Sequence, residues 1–296
     1  MSLPATVRIR EVGPRDGLQV EAPLPVEARA GVIDALAATG LKEIEAVSFV
    51  SPTAVPAMAG AAQVMATIDR RDDVSYVALV PNVRGAELAL EAGVDGLNVT
   101  ISASPTYNEK NVNRTIPESL EAVRAICALA GGLWVDVTVS CAFGSPYEGD
   151  IPAAEVAALG KRAMEAGATS LTFADTTGVA TPRLVYELLD QVGTNVRLHL
   201  HDTRGTALVN AYAACEAGVA DFDTSVGGLG GSPFAHGAGG NLGTEDLVHL
   251  LDDLGVSTGV DLEGLLGVSA LVAELVGHPP ASAVASAGPR NRLAPG

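Results

Sequence analysis

Short β-rich apolar runs alternate along this chain with Ala-rich segments whose apolar positions recur at helical spacing. Eight runs predict strands over residues 7–12, 43–47, 75–80, 96–101, 134–139, 170–174, 196–200 and 221–225. Between them the pattern predicts helices over 26–38, 54–68, 86–92, 117–129, 153–166, 182–191 and 207–217. Several of these helices close on a glycine (Gly40, Gly93, Gly131, Gly167, Gly193, Gly218), which accepts the left-handed conformation that caps a helix end. Such a series, with short connections and no break in composition, predicts an α/β fold, a (β/α)8 TIM barrel. The alternative is an open doubly wound sheet, and no Gly-x-Gly-x-x-Gly follows the first strand to support it. A Gly-rich loop runs from Gly227 to Gly243, and two extra C-terminal helices are expected over 244–254 and 261–276. Residues 1–277 are thus expected to form a single catalytic domain. Residues 278–296, rich in Ala, Ser and Pro and without periodicity, read as a loose tail.

Composition narrows the classes. The chain of 296 residues is 48% apolar, enough for a large core, yet no apolar run approaches the ~18 residues of a membrane span. The start, Met1 to Thr6, lacks a basic stretch followed by an apolar one, so no signal peptide is expected. Cys127, Cys141 and Cys215 are odd in number and far apart, which argues for a reducing, cytoplasmic setting. A net charge of −17 argues against nucleic acid and anionic membranes as partners. An anionic substrate then needs a metal or a local arginine. A homo-oligomer such as a dimer is compatible with all of this.

In a parallel barrel the chemistry gathers just past the C-terminal ends of the strands. At the seventh stands Leu198-His199-Leu200-His201-Asp202. Alternate strand residues share a face, so His199 and His201 can grip one ion. Paired structural histidines are about as common a meaning of that motif by itself. The first strand runs into Gly13-Pro14-Arg15-Asp16-Gly17, where Asp16 alone would be a turn residue. Asn241, in the loop after the eighth strand, offers a side-chain oxygen. Together Asp16, His199, His201 and Asn241 suit Mg2+ or Mn2+, with water completing the shell. No thiolate cluster favours a structural zinc.

Arg15 can hold an anionic oxygen that develops beside the metal. Its structural alternative is a salt bridge to Glu11 or Glu45. Glu45 lies in an apolar strand and needs a partner, so pairing with Arg15 is favoured slightly over proton transfer. Asp175, after the sixth strand, is either a ligand-facing acid or a cap. The Gly227 loop suits a substrate-closing lid better than a phosphate cradle, since it lacks the Gly-Lys-Ser/Thr ending.

Several stretches in order resemble the hydroxymethylglutaryl-CoA lyase family, a branch of the metal-dependent acyl-CoA lyases and synthases on TIM barrels. They are Glu11-Val-Gly-Pro-Arg-Asp-Gly-Leu-Gln, Glu45-Ala-Val-Ser-Phe-Val-Ser-Pro, Lys110-Asn-Val-Asn, Cys141-Ala-Phe-Gly-Ser-Pro-Tyr-Glu-Gly, Asp175-Thr-Thr-Gly-Val, His199-Leu-His-Asp-Thr and Asn241-Leu-Gly-Thr-Glu-Asp-Leu. The resemblance implies retro-Claisen cleavage of a 3-hydroxyacyl-CoA to acetyl-CoA and a keto acid such as acetoacetate. It implies a divalent ion, held by Asp16, His199, His201 and Asn241, that chelates the 3-hydroxyl and carboxylate of the substrate. It places Arg15 against the enolate oxygen and counts His201 and Glu45 among the catalytic residues. An acyl-CoA partner carries phosphates, for which Lys110 and Asn111 are candidates; a solvated surface charge is the alternative for Lys110.

Two positions depart from the family pattern. Its lid carries Gly-Gly-Cys-Pro, and here Gly230-Gly231-Ser232-Pro233 stands instead. A thiol has a pKa near ~8.5, whereas a serine hydroxyl is a poor proton donor at neutral pH, so Ser232 does not simply inherit a catalytic role. Arg204 replaces a residue that is usually uncharged, and pairs either with a substrate carboxylate or with a surface acid. The expected substrate is hydroxymethylglutaryl-CoA or a close 3-hydroxyacyl-CoA. The rivals are a lyase for citramalyl-CoA or another branched thioester, an acyl-CoA condensing synthase, and a barrel that binds metal or ligand without turnover.

Overall fold

The computed structural model describes residues 3–231, 239–290 and 292. The predicted strands form as β1 (Arg8–Glu11), β2 (Glu43–Ser48), β3 (Ser75–Leu79), β4 (Gly96–Ser102), β5 (Trp134–Ser140), β6 (Ser170–Asp175), β7 (Arg197–Leu200) and β8 (Asp221–Thr224). Each pairs in parallel with the next, and β8 pairs back onto β1, closing the barrel in sequence order. Helices α1 (Val26–Ala38), α2 (Ala61–Thr67), α3 (Val83–Glu91), α4 (Pro105–Val112), α5 (Ile116–Ala130), α6 (Ala153–Glu165), α7 (Pro182–Val192) and α8 (Ala207–Ala217) fill the connections. The extra helices α9 (Thr244–Asp253) and α10 (Leu262–Val276) follow the eighth strand, as expected.

Alternation along the strands explains the closure. Ile9, Ile44, Leu97, Val135, Val137, Phe173, Leu198 and Phe222 are buried in the hydrophobic core. The residues between them turn inward, and many are charged. Arg10 of β1 donates to both oxygens of Asp223 on β8 at 2.8 Å and reaches across the barrel to Asp136 of β5 at 2.9 Å. Nearer the N-terminal ends of the strands, Arg197 of β7 makes a two-pronged pair with Glu43 of β2 at 2.8 and 2.7 Å. Such barrels are more often filled by branched apolar side chains. A cavity of about 550 Å³ opens at that N-terminal end, lined by Arg8, Glu43, Trp134, Arg197 and Asp221 among others.

The structure departs from the periodicity in three places. The expected helix over 54–68 breaks into a single turn, Pro56–Met58, and α2, because Gly60 between them takes a left-handed φ of 77°. Helix α4 was not predicted, since its sequence is mostly polar. It is started locally, by Pro105 in its first turn and by Ser104, whose hydroxyl accepts from the Tyr107 amide at 3.0 Å. Part of the segment expected to be loose carries a short helix, α11 (Ala283–Ala287). There Val284 N–H donates to Asp246 at 2.8 Å and Ala281 N–H to the Gly227 carbonyl at 2.8 Å. Those ties are polar and backbone-mediated, so hydropathy does not register them.

Candidate active site

Past β1 the chain makes one wide turn, Gly13–Gly17, in which the N–H groups of Asp16 and Gly17 both donate to the Val12 carbonyl at 2.7 and 3.2 Å. Glu11 ties this turn to the root of the β8 loop. Its carboxylate accepts from Gly13 N–H at 2.7 Å, Val226 N–H at 2.8 Å and the Thr244 hydroxyl at 2.6 Å. Burial pushes the Glu11 carboxyl up to about 8 despite those donors. A side chain at Gly13 would meet Glu11 Oε1 at 2.6 Å, so only glycine fits there. The turn delivers Arg15 and Asp16, both buried, to the barrel mouth.

The other half of the site comes from β7 and the chain after β8. His199 lies in β7 and His201 just beyond it. Residues 240–242 dock antiparallel on this strand end, through Asp202 N–H to the Gly240 carbonyl and Leu242 N–H to the Leu200 carbonyl, each 2.9 Å. That bridge sets Asn241 opposite His201. Ligand atoms of Asp16, His199 and His201 all lie within 4.8 Å of one another. The two Nε2 atoms are 3.2 Å apart, and Asp16 Oδ2 is 3.9 Å from Nε2 of His199. Asn241 donates to Asp16 Oδ2 at 2.8 Å. A side chain at Gly230 would strike the Asn241 amide at 2.3 Å, so the loop passes close over the site only because this residue is glycine.

Several observations show that this group fits a cation. Burial, then the charge of His199, pushes His201 down to about 3, so its imidazole is neutral and has a lone pair to give. Burial raises the Asp16 carboxyl, but Arg15, His199 and His201 outweigh it and hold it below the ordinary carboxylate value. Asn241 Oδ1 is buried with no hydrogen-bond partner among the described residues. A carboxylate, two imidazoles and an amide oxygen form a mixed oxygen and nitrogen set that divalent ions accept.

Arg15 donates to Glu45 through Nε and to Asp16 through Nη1. The other oxygen of Glu45 accepts from Asn98 Nδ2 at 2.7 Å, so both oxygens of this fully buried acid are engaged. The alternative pairing of Arg15 with Glu11 does not form. Asp175 caps the loop after β6, accepting from Val179 N–H at 2.8 Å and Ala180 N–H at 3.0 Å, and burial pushes it up to about 6. Arg204 pairs with no surface acid among the described residues. It donates to the Thr177 and Gly178 carbonyls at 2.7 and 2.9 Å, tying the β7 loop to the β6 loop. Lys110 and Asn111 are exposed on α4, with Lys110 Nζ 5.4 Å from the centre of the Tyr147 ring. Ser232 lies outside the described residues.

Sequence reading missed Asp223 and Arg10. Asp223 Oδ2 stands 3.1 Å from Nδ1 of His199, and Arg10 grips that carboxylate. A signal was present: Arg8-Ile-Arg10, Arg197-Leu-His199 and Asp221-Phe-Asp223 alternate polar and apolar residues along strands, and Arg10, Arg197, His199 and Asp223 are buried. Buried charges at period two must meet partners inside the barrel.

A (β/α)8 barrel with a buried acid, two imidazoles, an amide and a fixed guanidinium at its C-terminal mouth defines a barrel enzyme with a candidate cation site. The HMGL-like family profile matches residues 6–272. Hydroxymethylglutaryl-CoA lyase YngG of Bacillus subtilis is 42% identical over 287 residues, covering 94% of this chain and 96% of that protein. The 3-hydroxy-3-isohexenylglutaryl-CoA/hydroxy-methylglutaryl-CoA lyase of Pseudomonas aeruginosa is 42% identical over 295 residues, covering 97% and 98%. The structure of an HMG-CoA lyase from Acinetobacter baumannii in complex with coenzyme A and 3-methylmalate superposes with a TM-score of 0.94 at 40% identity, covering 98% of both chains. The carboxyl transferase domain of Rhizobium etli pyruvate carboxylase, 16% identical with a TM-score of 0.71, shares the fold alone. The chain belongs to the HMGL-like family.

Proposed function

We propose that this chain cleaves 3-hydroxy-3-methylglutaryl-CoA, or a close 3-hydroxyacyl-CoA, to acetyl-CoA and a keto acid with the help of Mg2+ or Mn2+. One observation carries the reading. Arg15 is buried against Asp16, which itself meets His199, His201 and Asn241, in a chain whose 42% identical relatives are hydroxymethylglutaryl-CoA lyases. The relative's structure with coenzyme A supports an acyl-CoA partner. Free cysteines and bacterial relatives support a cytoplasmic setting.

Asp16, His199, His201 and Asn241 would hold the ion. When bound it supplies a Lewis acid that lowers the pKa of the substrate hydroxyl and anchors the neighbouring carboxylate. The chain's own residues supply the rest. Arg15 keeps its charge throughout, and Glu45 and Asp16 fix the direction of its guanidinium. In so dry a mouth that charge favours the thioester oxygen that turns negative as the C2–C3 bond breaks. Glu45, whose two oxygens accept from Arg15 and Asn98, orients Arg15. Ser232 is far less acidic than a thiol and does not simply replace one as proton donor, so the proton that leaves the substrate hydroxyl reaches the enolate carbon through water or another group beside the site.

A panel of acyl-CoA thioesters, assayed with Mn2+ for acetyl-CoA release, tests this. Hydroxymethylglutaryl-CoA is expected to give acetyl-CoA and acetoacetate. Turnover confined to citramalyl-CoA or another branched thioester would replace the substrate, condensation without cleavage would point to a synthase, and no turnover on any thioester would overturn the reading.

A further inference from the structure

We infer that Asp223 is a positioning residue that fixes the tautomer and direction of His199, leaving Nε2 of that imidazole bare for the cation; the inference rests on the metal reading above. Asp223 of β8 lies in register with His199 of β7, and its Oδ2 is 3.1 Å from Nδ1. A carboxylate offers only acceptors, so Nδ1 carries the hydrogen. A cation is bound only by the neutral imidazole, which has one N–H; with that hydrogen on Nδ1, Nε2 keeps its lone pair. That Nε2 faces Nε2 of His201 at 3.2 Å and Asp16 Oδ2 at 3.9 Å.

The carboxylate is not free to swing away. Arg10 donates to both its oxygens at 2.8 Å and is itself held by Asp136 at 2.9 Å and Thr172 at 3.2 Å. Arg197 Nε stands 3.6 Å from Asp223 Oδ1. Arg10, Asp136 and Asp223 are all at most 3% exposed. Positioning thus runs from β5 through β1 and β8 to an imidazole on β7. An acceptor behind a metal-facing histidine both orients the ring and fixes which nitrogen is bare.

Asp223→Asn in the full chain is the test. The new amide can turn its NH2 toward Nδ1 and drive the hydrogen to Nε2, where it blocks the cation. Mn2+ affinity, titrated by paramagnetic resonance without substrate, should fall about 10–100-fold. In the metal-free protein the imidazole 15N signals of His199, assigned by their loss in His199→Asn, should shift from the Nδ1–H to the Nε2–H tautomer. Asp136→Asn is the control, because it removes another buried partner of Arg10 yet leaves His199 its acceptor. It should lower stability and leave the Nδ1–H tautomer of His199 in place, with a loss of Mn2+ affinity well below that of Asp223→Asn. Should Asp223→Asn not fold, Asp223→Glu keeps the charge for Arg10, displaces the oxygen by one methylene and is expected to lose affinity likewise. Equal affinity losses in the Asp136 and Asp223 variants, or wild-type affinity in a folded Asp223 variant, overturn the positioning role. Wild-type protein that binds no Mn2+ overturns the metal reading, and the positioning role with it.

Discussion

At the N-terminal end of the barrel Arg8 meets Asp221 at 2.6 Å and Arg197 meets Glu43 at 2.7 Å, around a cavity of about 550 Å³. At the C-terminal end Arg15 meets Glu45 and Asp16, beside His199, His201 and Asn241. Both ends use the same side-chain chemistry, but they are balanced differently. At the lower end each of these cations faces its own carboxylate, and the result is cohesion between strands. At the upper end Asp16 is shared by Arg15 and Asn241, two imidazole nitrogens face each other at 3.2 Å, and Asn241 Oδ1 is buried without a partner among the described residues. Burying polar atoms in this way costs folding free energy that no internal contact returns. Buried charge alone therefore does not mark a site here. Convergent donors left incomplete do.

The comparison breaks most visibly if the upper cluster needs nothing added to it. Chelation of divalent ions should lower acetyl-CoA formation by ~10³-fold or more, the equivalent of several kcal/mol of Lewis-acid stabilisation, with recovery on adding Mn2+ or Mg2+. Undiminished turnover in the chelated enzyme would place the chemistry elsewhere. Next in size is Arg15→Gln, which should lower kcat by ~10²–10³-fold with KM little changed, because its partner charge forms only in the transition state. Steady-state kinetics that moved KM alone would make Arg15 a binding residue.

The lower end is predicted to respond in stability and not in rate. Glu43→Gln leaves the Arg197 side chain, 9% exposed, without its two-pronged partner. Denaturant unfolding should show a loss of about 2 kcal/mol, a part of the penalty for a fully buried pair because Glu43 itself is partly exposed. Its kcat/KM should be unchanged, and a rate loss in folded protein would join the two ends functionally. The smallest effect is expected at Arg204, which grips backbone carbonyls on an exposed loop. Arg204→Ala should change KM by about twofold or less. A tenfold rise in KM would restore the substrate-carboxylate role that its hydrogen bonds argue against.

How much of this was legible in the sequence depended on how local the cause was. Strand alternation, helix periodicity and terminal glycines are written in neighbouring residues, and all eight strands form where expected, within a few residues. The period of two in Leu198-His199-Leu200-His201 put both imidazoles on one face, and the strand order put Asp16 and Asn241 on the same rim. Helix α4 escaped because its start depends on a Ser–Pro cap and not on an apolar stripe. The division of the 54–68 segment turned on one left-handed glycine.

The sequence by itself thus determined the barrel, the order of its strands and the group of residues at their ends, since each follows from short-range periodicity. Which group meets which was decided only by the tertiary structure. Arg15 chose Glu45, 30 residues away, over Glu11 close by. Asn241 reached Asp16 across 225 residues by docking on the end of β7. Asp223 came to stand behind His199, and Arg204 found carbonyls instead of an acid. These pairings arise only when the strands and their loops come together, Asn241 with Asp16 for instance when β8 closes onto β1, and periodicity within a strand carries no information about that closure.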